Sequence, residues 1–256
     1  MRFYFMLPLV AFAAWLGVQP RVSAGPVSVP SRPSLTIPPA RGSFQFEVCD
    51  QNKPYCSGVA NTPVSFSRGP TASQTVTDGS SIANGQVSIQ PAPKASATLK
   101  ATQTGSTGFV LLTYFFGVAA RSGLTPAPIT FSANGSASAA GDSTALASVK
   151  VQTFGGTLGE LFSYTACTAP CADGLPPQSS FSASKRIFIA ANTLYSVLMS
   201  VDLTVDGVNG HVGLGKAAGS VDPIITLDPQ YASGGYQLLL SRNVGDVLDG
   251  GRKRTF

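Results

Sequence analysis

The sequence predicts an all-β protein: an antiparallel β-sandwich of the jelly-roll or immunoglobulin-like kind, built as one sandwich or as two packed sub-sandwiches. Three observations support this prediction. Several segments alternate apolar and polar residues, which is the period of a strand with one buried face. Turn-forming Asx-Gly dipeptides separate many of these segments. No segment combines a helical apolar period with helix caps, so we expect little helix.

The first element is a predicted secretory signal peptide over residues 1–24. Arg2 supplies the positive charge, residues 3–18 form the apolar stretch, and residues 22–24 are small enough for cleavage. The apolar stretch contains Pro8 and is shorter than the ~20 residues that cross a bilayer, so cleavage is favoured over a retained membrane anchor. We therefore expect a secreted protein, extracellular or periplasmic, with no membrane span in the mature chain.

Proline and charge divide the rest of the chain. Closely spaced prolines predict an extended leader over residues 25–42, followed by a sandwich domain over residues 43–245 with a candidate subdivision near 122–128. Residues 246–256 are predicted to be a flexible basic tail. Of the 17 basic residues, two lie in the signal peptide and three in the tail, which leaves 12 against the 12 acidic residues of the chain. This balance argues against a nucleic-acid partner.

Strand signals follow one another through the predicted domain. Residues 43–48 and 194–205 alternate strictly, whereas residues 109–120 are apolar on both faces and predict a central, covered strand. Residues 132–148 are a Ser/Ala-rich stretch that can form flat strands with small side chains. Further strands are predicted at 86–90, 96–101, 129–136, 144–154 and 181–189. The predicted turns are Asp78-Gly79, Asn84-Gly85, Asn134-Gly135, Asp173-Gly174, Asp206-Gly207 and Asn209-Gly210.

Four cysteines form two close pairs in the sequence, Cys49 with Cys56 and Cys167 with Cys171. An exported chain favours disulfides, and four cysteines allow three connectivities. Local pairing is favoured because turn-forming residues lie between the members of each pair. A zinc site of four thiolates is the alternative, but the spacings depart from paired zinc knuckles and an oxidising compartment disfavours free thiols.

No catalytic, cofactor-binding or metal-binding residue is predicted. A serine hydrolase would need the single histidine, His211, and no Gly-x-Ser-x-Gly motif accompanies it. Glu47 and Glu160 are the only glutamates, and most aspartates precede Gly or Pro, where they form turns. Asp202 and Asp206 do not fit the spacing of a calcium loop. A glycan hydrolase using paired aspartates stays open as an alternative.

Tyrosines are the candidate ligand-stacking residues. Sugar-binding sandwiches use exposed aromatic rings, and the only tryptophan, Trp15, lies in the predicted signal peptide. Tyr55, Tyr164, Tyr231 and Tyr236 could take its place. Packing within the fold is the competing interpretation for each of them.

Two sequence elements near the C-terminus carry a resemblance to a known group of proteins. Residues 222–229 read D-P-I-I-T-L-D-P, and residues 236–245 read Y-Q-L-L-L-S-R-N-V-G. Together with residues 191–197, they resemble the C-terminal half of exported Gram-negative β-sandwich proteins of the PEP-CTERM-associated type. The Pro-Glu-Pro sorting motif and the apolar anchor of that group are missing. The resemblance implies an exported β-domain connected with surface polysaccharide or biofilm matrix, and no catalytic residue.

The leading functional hypothesis is a secreted, non-enzymatic structural or adhesion protein of the cell envelope or extracellular matrix. The expected partners are a surface polysaccharide or further copies of the chain, without a cofactor. A carbohydrate-binding module and a secreted glycan hydrolase are the alternatives. Within the resembling segment, Asp222-Pro223 and Asp228-Pro229 are predicted to bracket a short strand at 224–227, each aspartate closing a turn.

Overall fold

The computed structural model describes residues 35–53, 56–103, 105–120, 126–154, 159–169, 176–206 and 214–245, all within one compact unit. The predicted signal peptide, most of the leader and the basic tail lie outside these residues. The strands are β1 (Arg41–Val48), β2 (Gly58–Ser65), β3 (Thr71–Asp78), β4 (Ser81–Ser88), β5 (Lys94–Ala101), β6 (Ser106–Ala119), β7 (Ala127–Gly141), β8 (Ser143–Thr153), β9 (Glu160–Cys167), β10 (Ser180–Ile189), β11 (Tyr195–Val205), β12 (Gly215–Leu227) and β13 (Gln237–Leu240), and the helix is α1 (Pro229–Ser233).

The strands form two antiparallel sheets packed face to face. Sheet A has the order β2-β1-β6-β11-β8-β9, with β13 also paired to β6, and sheet B has the order β10-β7-β12-β5-β4-β3. Side chains alternate along each strand, so every second residue of both sheets points into the shared core. The predicted all-β antiparallel sandwich is confirmed.

The connectivity of the sandwich is that of a jelly roll. Strands β5 to β12 have the order β6-β11-β8-β9 in sheet A and β5-β12-β7-β10 in sheet B. Among these eight strands the chain crosses to the opposite sheet at every connection except β8 to β9. This is the double Greek-key arrangement of jelly rolls, so the structure selects one of the two predicted kinds of sandwich. Strands β1 to β4 widen both sheets at one edge.

Large apolar side chains fill the space between the sheets. Phe44, Phe116 and Phe131 are all 1% exposed or less. The second half of β6 is buried on both faces, as the apolar run predicted, because its outward Phe115 is covered by the ring of Phe154 at 5.0 Å between centroids. Each such ring contributes about 2–3 kcal/mol of transfer free energy when it leaves water.

Of the predicted Asx-Gly turns that lie wholly within the described residues, one is confirmed and two are wrong. Asp78-Gly79 joins β3 to β4, and Gly79 has a positive φ of 57°. Asn84-Gly85 and Asn134-Gly135 were wrong as turns, since they lie inside β4 and β7. Both glycines point into the core, where phenylalanine rings occupy the space that a Cβ would need. Asp173-Gly174, Asn209-Gly210 and Gly207 of the predicted turn Asp206-Gly207 fall outside the described residues.

Strand β12 corrects the predicted short strand at 224–227. It runs without a break through Asp222-Pro223, and its pairing with β5 ends at Val221. Beyond that point, within the described residues, β12 is paired with β7 alone. Pro223 can therefore lack an N–H without leaving a carbonyl of β5 unpaired. The turn predicted at Asp228 is confirmed, because its Oδ1 accepts a hydrogen bond from the Gln230 amide at 3.3 Å and caps α1.

A disulfide closes the loop after β1. Cys49 and Cys56 are bonded, as predicted, which removes the four-thiolate zinc alternative. Within the loop, the Lys53 ammonium forms an ion pair with the carboxylate of Asp78, whose side chain is fully buried. Hydrogen bonding from Lys53 lowers the pKa of Asp78 to about 2. Cys167 is also disulfide-bonded, and Cys171 lies outside the described residues.

Candidate functional site

Sheet B presents a broad field of hydroxyl and amide side chains on its outer face, which we call the hydroxyl face. Strict alternation places these residues outward while their neighbours along each strand are directed into the core. The hydroxyl face consists of Ser73, Thr75, Asn84, Gln86, Ser96, Thr98, Ser132, Asn134, Ser136, Ser138, Ser182, Ser184 and Ser220.

Antiparallel register brings these side chains into rows that cross the sheet. Ser96 on β5 lies opposite Ser220 on β12, which lies opposite Ser136 on β7. The hydroxyl oxygens of Ser136 and Ser220 are 3.0 Å apart, and those of Ser132 and Ser184 are also 3.0 Å apart. Because these side chains are short and tied to one another, the face is flat and keeps further lone pairs and protons free for a ligand.

A shallow depression of about 330 Å³ lies at one end of the hydroxyl face. The depression forms because Ala218 on β12 has only a methyl group, whereas longer side chains on β5 and β7 border it. In the register, Thr98 and Ser138 lie on either side of Ala218 and place a hydroxyl group at each side of the floor. Lys100 and Lys216 stand in the next row and also line the depression.

The predicted ligand-stacking tyrosines lie elsewhere. Tyr164 is on β9 in sheet A, and its ring stacks on that of Phe181 at 5.8 Å between the sheets. The rings of Tyr231 and Tyr236 contact each other at 5.3 Å, and Tyr236 is only 8% exposed. Tyr55 lies outside the described residues. The structure brings none of the three described tyrosines to the hydroxyl face, and sugar stacking on Tyr164 or Tyr231 stays a prediction.

The acidic residues considered in the sequence are spread over the molecule. Asp202 is on the outer face of sheet A between Phe109 and Leu146, and burial beside these side chains raises its pKa. Glu160 pairs with Lys150 at 2.8 Å, and the hydrogen bond from that lysine lowers the pKa of the glutamate. Among the described residues there is no group of three or more His, Cys, Asp or Glu side chains that could hold a metal ion. His211 falls outside them.

No helix within the described parts of the chain has both the length and the apolar character needed to cross a membrane.

Comparison with known proteins places the chain in no established family. No protein-family model matches the sequence, and no curated protein matches it. Its resemblance to solved structures is weak. TmCBM61 in complex with β-1,4-galactotriose has 9% identity and a TM-score of 0.27, over 62% of this chain and 89% of that one.

Two further solved structures resemble the chain about as weakly. The enzymatically active domain of tailspike protein 4 from bacteriophage CBA120 has 10% identity and a TM-score of 0.27, over 62% of this chain and 19% of that one. The family 11 carbohydrate-binding module from Clostridium thermocellum, in complex with a mixed-linked β-1,3-1,4 tetrasaccharide, has 7% identity and a TM-score of 0.20, over 71% and 95%. At these scores the comparisons carry no functional argument.

Proposed function

We propose that the protein is a secreted, non-catalytic binding module that holds a polysaccharide along the hydroxyl face of sheet B, and that it acts in adhesion or in an extracellular matrix. The observation that supports this proposal is the set of cross-strand rows of hydroxyl and amide groups that lead into the depression over Ala218. Such a face matches a ligand that is itself extended and covered with hydroxyl groups.

The chemistry of the face suits many weak contacts repeated along a polymer. Each serine or threonine hydroxyl can donate one hydrogen bond and accept two. A single such bond contributes only about 0.5–1.5 kcal/mol net, so useful affinity needs several at once. Six strands spaced about 4.8 Å apart span roughly 24 Å, which is long enough for several sugar rings in a row.

The depression gives the face a place where one ring can sit more deeply. Its volume of about 330 Å³ lies at the lower end of the range for small-ligand pockets. A larger side chain at Ala218 would fill it without changing the fold, because this side chain points outward from β12. Ala218→Leu is therefore the informative substitution. Ser43→Leu on β1 is its matched control, since Ser43 is a half-buried outward position on sheet A.

Affinity electrophoresis through gels that contain a soluble polysaccharide tests the proposal. The probes are a galactan, a mixed-linked glucan, a polygalacturonate and a sulfated dextran, used with the full chain. We expect retardation by at least one probe, with affinity reduced about tenfold by Ala218→Leu and unchanged by Ser43→Leu. Melting temperatures of the two variants confirm that both are folded.

Two outcomes would contradict the proposal. One is the absence of retardation by every probe in the series. The other is a loss of affinity in Ala218→Leu that is no greater than in Ser43→Leu, at unchanged melting temperature, which would place the binding surface away from the depression.

A further inference from the structure

Two lysines face each other across strands at the end of the hydroxyl face. Lys100 on β5 pairs in register with Lys216 on β12, and both side chains are exposed. Directly opposite residues in an antiparallel pair have Cβ atoms about 4.5–5.5 Å apart, and like charges at that distance repel each other. The pair is therefore unfavourable in the unliganded protein, and a bound anion would relieve the repulsion.

The neighbours of this pair in its cross-strand row are uncharged. Ile82 on β4 lies beside Lys100, and Ala140 on β7 lies beside Lys216. Among the described residues, none of the ion pairs includes either lysine. Along β12 the nearest acid on the same face is Asp222, roughly 20 Å away along the strand. Asp142 lies closer, two residues beyond Ala140, where its amide donates a hydrogen bond to the Leu214 carbonyl, but none of the ion pairs of the described residues joins it to Lys216. The positive charge at this end of the sheet is thus not neutralised by its row.

The lysines border the depression, and the row beside them forms its floor. That row runs from Thr98 through Ala218 to Ser138, which places a hydroxyl group on each side of a methyl group. A sugar ring above Ala218 would lie between the two hydroxyl groups, with the ammonium groups of Lys100 and Lys216 on one side of it.

From this arrangement we infer that the depression binds an acidic sugar residue of the polysaccharide, with its carboxylate or sulfate held between Lys100 and Lys216. An ammonium group offers three donors and no acceptor, so it selects an anion over a neutral hydroxymethyl group. Hydrogen bonds between charged partners are about twice as strong as those between neutral groups. The inference rests on the proposed function, and it adds that the polysaccharide is anionic.

Substitution of each lysine by methionine keeps the length of the side chain and removes its charge. We compare Lys100→Met, Lys216→Met and the double variant with Lys150→Met, which removes the same charge from the outer face of sheet A. Isothermal titration of the full chain with polygalacturonate and with sulfated dextran measures affinity at about 50 and about 300 mM salt.

The expected result is a loss of affinity of about threefold for each single variant and about tenfold for the double variant. Lys150→Met should bind as the unaltered chain does. Salt should weaken binding by the unaltered chain more than binding by the double variant, because screening acts on the charge that was removed. The melting temperature of the double variant should be equal or higher, since the repulsion between the lysines is gone.

The probes separate the two anionic groups and the alternatives. A preference for polygalacturonate or for sulfated dextran, lost in the double variant, identifies carboxylate or sulfate as the bound group. Equal affinity for methyl-esterified polygalacturonate, or for single-stranded DNA, would overturn the inference, as would undiminished binding by the double variant. Binding of neutral glycans alone would overturn the inference while the proposed function stands, and binding of no polysaccharide would overturn both.

Discussion

Gly85 offers a direct test of how the two sheets pack. A Cβ at this position would lie 2.7 Å from Cζ of Phe46, 2.8 Å from Cδ1 of Phe44 and 2.8 Å from Cγ2 of Val110. Ordinary carbon contacts are about 3.5–4 Å, so each of these three side chains would have to move by roughly 0.7–1 Å. All three are at most 2% exposed, so none can move aside into solvent. Gly85→Ala should therefore destabilise the protein.

The expected cost is in the upper part of the range for overpacked cores, about 2–3 kcal/mol. For a domain of this size each kcal/mol lowers the melting temperature by about 2–4 °C, so calorimetry should show a decrease of roughly 5–10 °C. Gly69→Ala is the matched control, because a Cβ on Gly69 would have no heavy atom within 4 Å. Its free energy of unfolding should change by no more than about 0.5 kcal/mol.

A double-mutant cycle separates packing from backbone conformation. If Phe44 is one of the groups that the new methyl displaces, Phe44→Leu should reduce the cost of Gly85→Ala, with a coupling energy of at least about 1 kcal/mol. If Gly85 were needed for a turn with positive φ, the two effects would simply add. Additivity within experimental error, or equal stability of the Gly85→Ala and Gly69→Ala variants, would refute the packing argument.

Two further predictions concern the disulfide loop. Replacing both Cys49 and Cys56 by serine opens a loop with a sequence separation of 7, which should lower the free energy of unfolding in urea by about 2–2.5 kcal/mol. The second concerns Asp78, whose pKa falls from 3.8 to about 2 in the folded state through the hydrogen bond from Lys53. Its contribution to stability is fully present above about pH 4 and is lost as the pH falls towards 2. In Asp78→Asn the melting temperature should therefore depend less on pH between 2 and 5.

Controls make both predictions decisive. Under reducing conditions, which also open the disulfide of Cys167, the unaltered chain and the double serine variant should be equally stable, because neither then has a covalent link between residues 49 and 56. Equal stability of the oxidised and reduced chain would contradict the loop argument. For the acid range, Lys53→Met should flatten the pH dependence much as Asp78→Asn does. An unchanged pH dependence in both variants would show that other carboxylates control acid unfolding.

Most of the strands could be predicted because their pattern is local. Every predicted strand overlaps an observed one, and the period-two pattern in β1 and β11 follows the buried face residue by residue. Strands β2, β3, β9 and β13 were not predicted. β2 and β3 lie on or near the edge of the sandwich and bury few large apolar side chains, so their alternation is weak.

The candidate site was only partly visible in the sequence. The Ser/Ala alternation of residues 132–148 indicated flat strands with small side chains, and these residues do form parts of β7 and β8. The sequence did not show that β7 lies beside β12, or that Lys100 and Lys216 are opposite each other. The two lysines are more than a hundred positions apart in the chain. No local pattern specifies pairings between residues so far apart. The sequence therefore indicated the tyrosines as ligand-stacking residues and gave no sign of the lysine pair.

The sequence by itself determined the fold class, because alternation of side chains decides locally whether a segment can bury one face. It also favoured the pairing of Cys49 with Cys56 among three possible connectivities, because both partners lie close in the chain, and the structure confirms that pairing. The tertiary structure alone decided that Asn84-Gly85 and Asn134-Gly135 lie within strands and do not form turns. The same dipeptide suits a tight turn or a strand beneath an aromatic ring, and only the rings packed against it from elsewhere in the sandwich select between them.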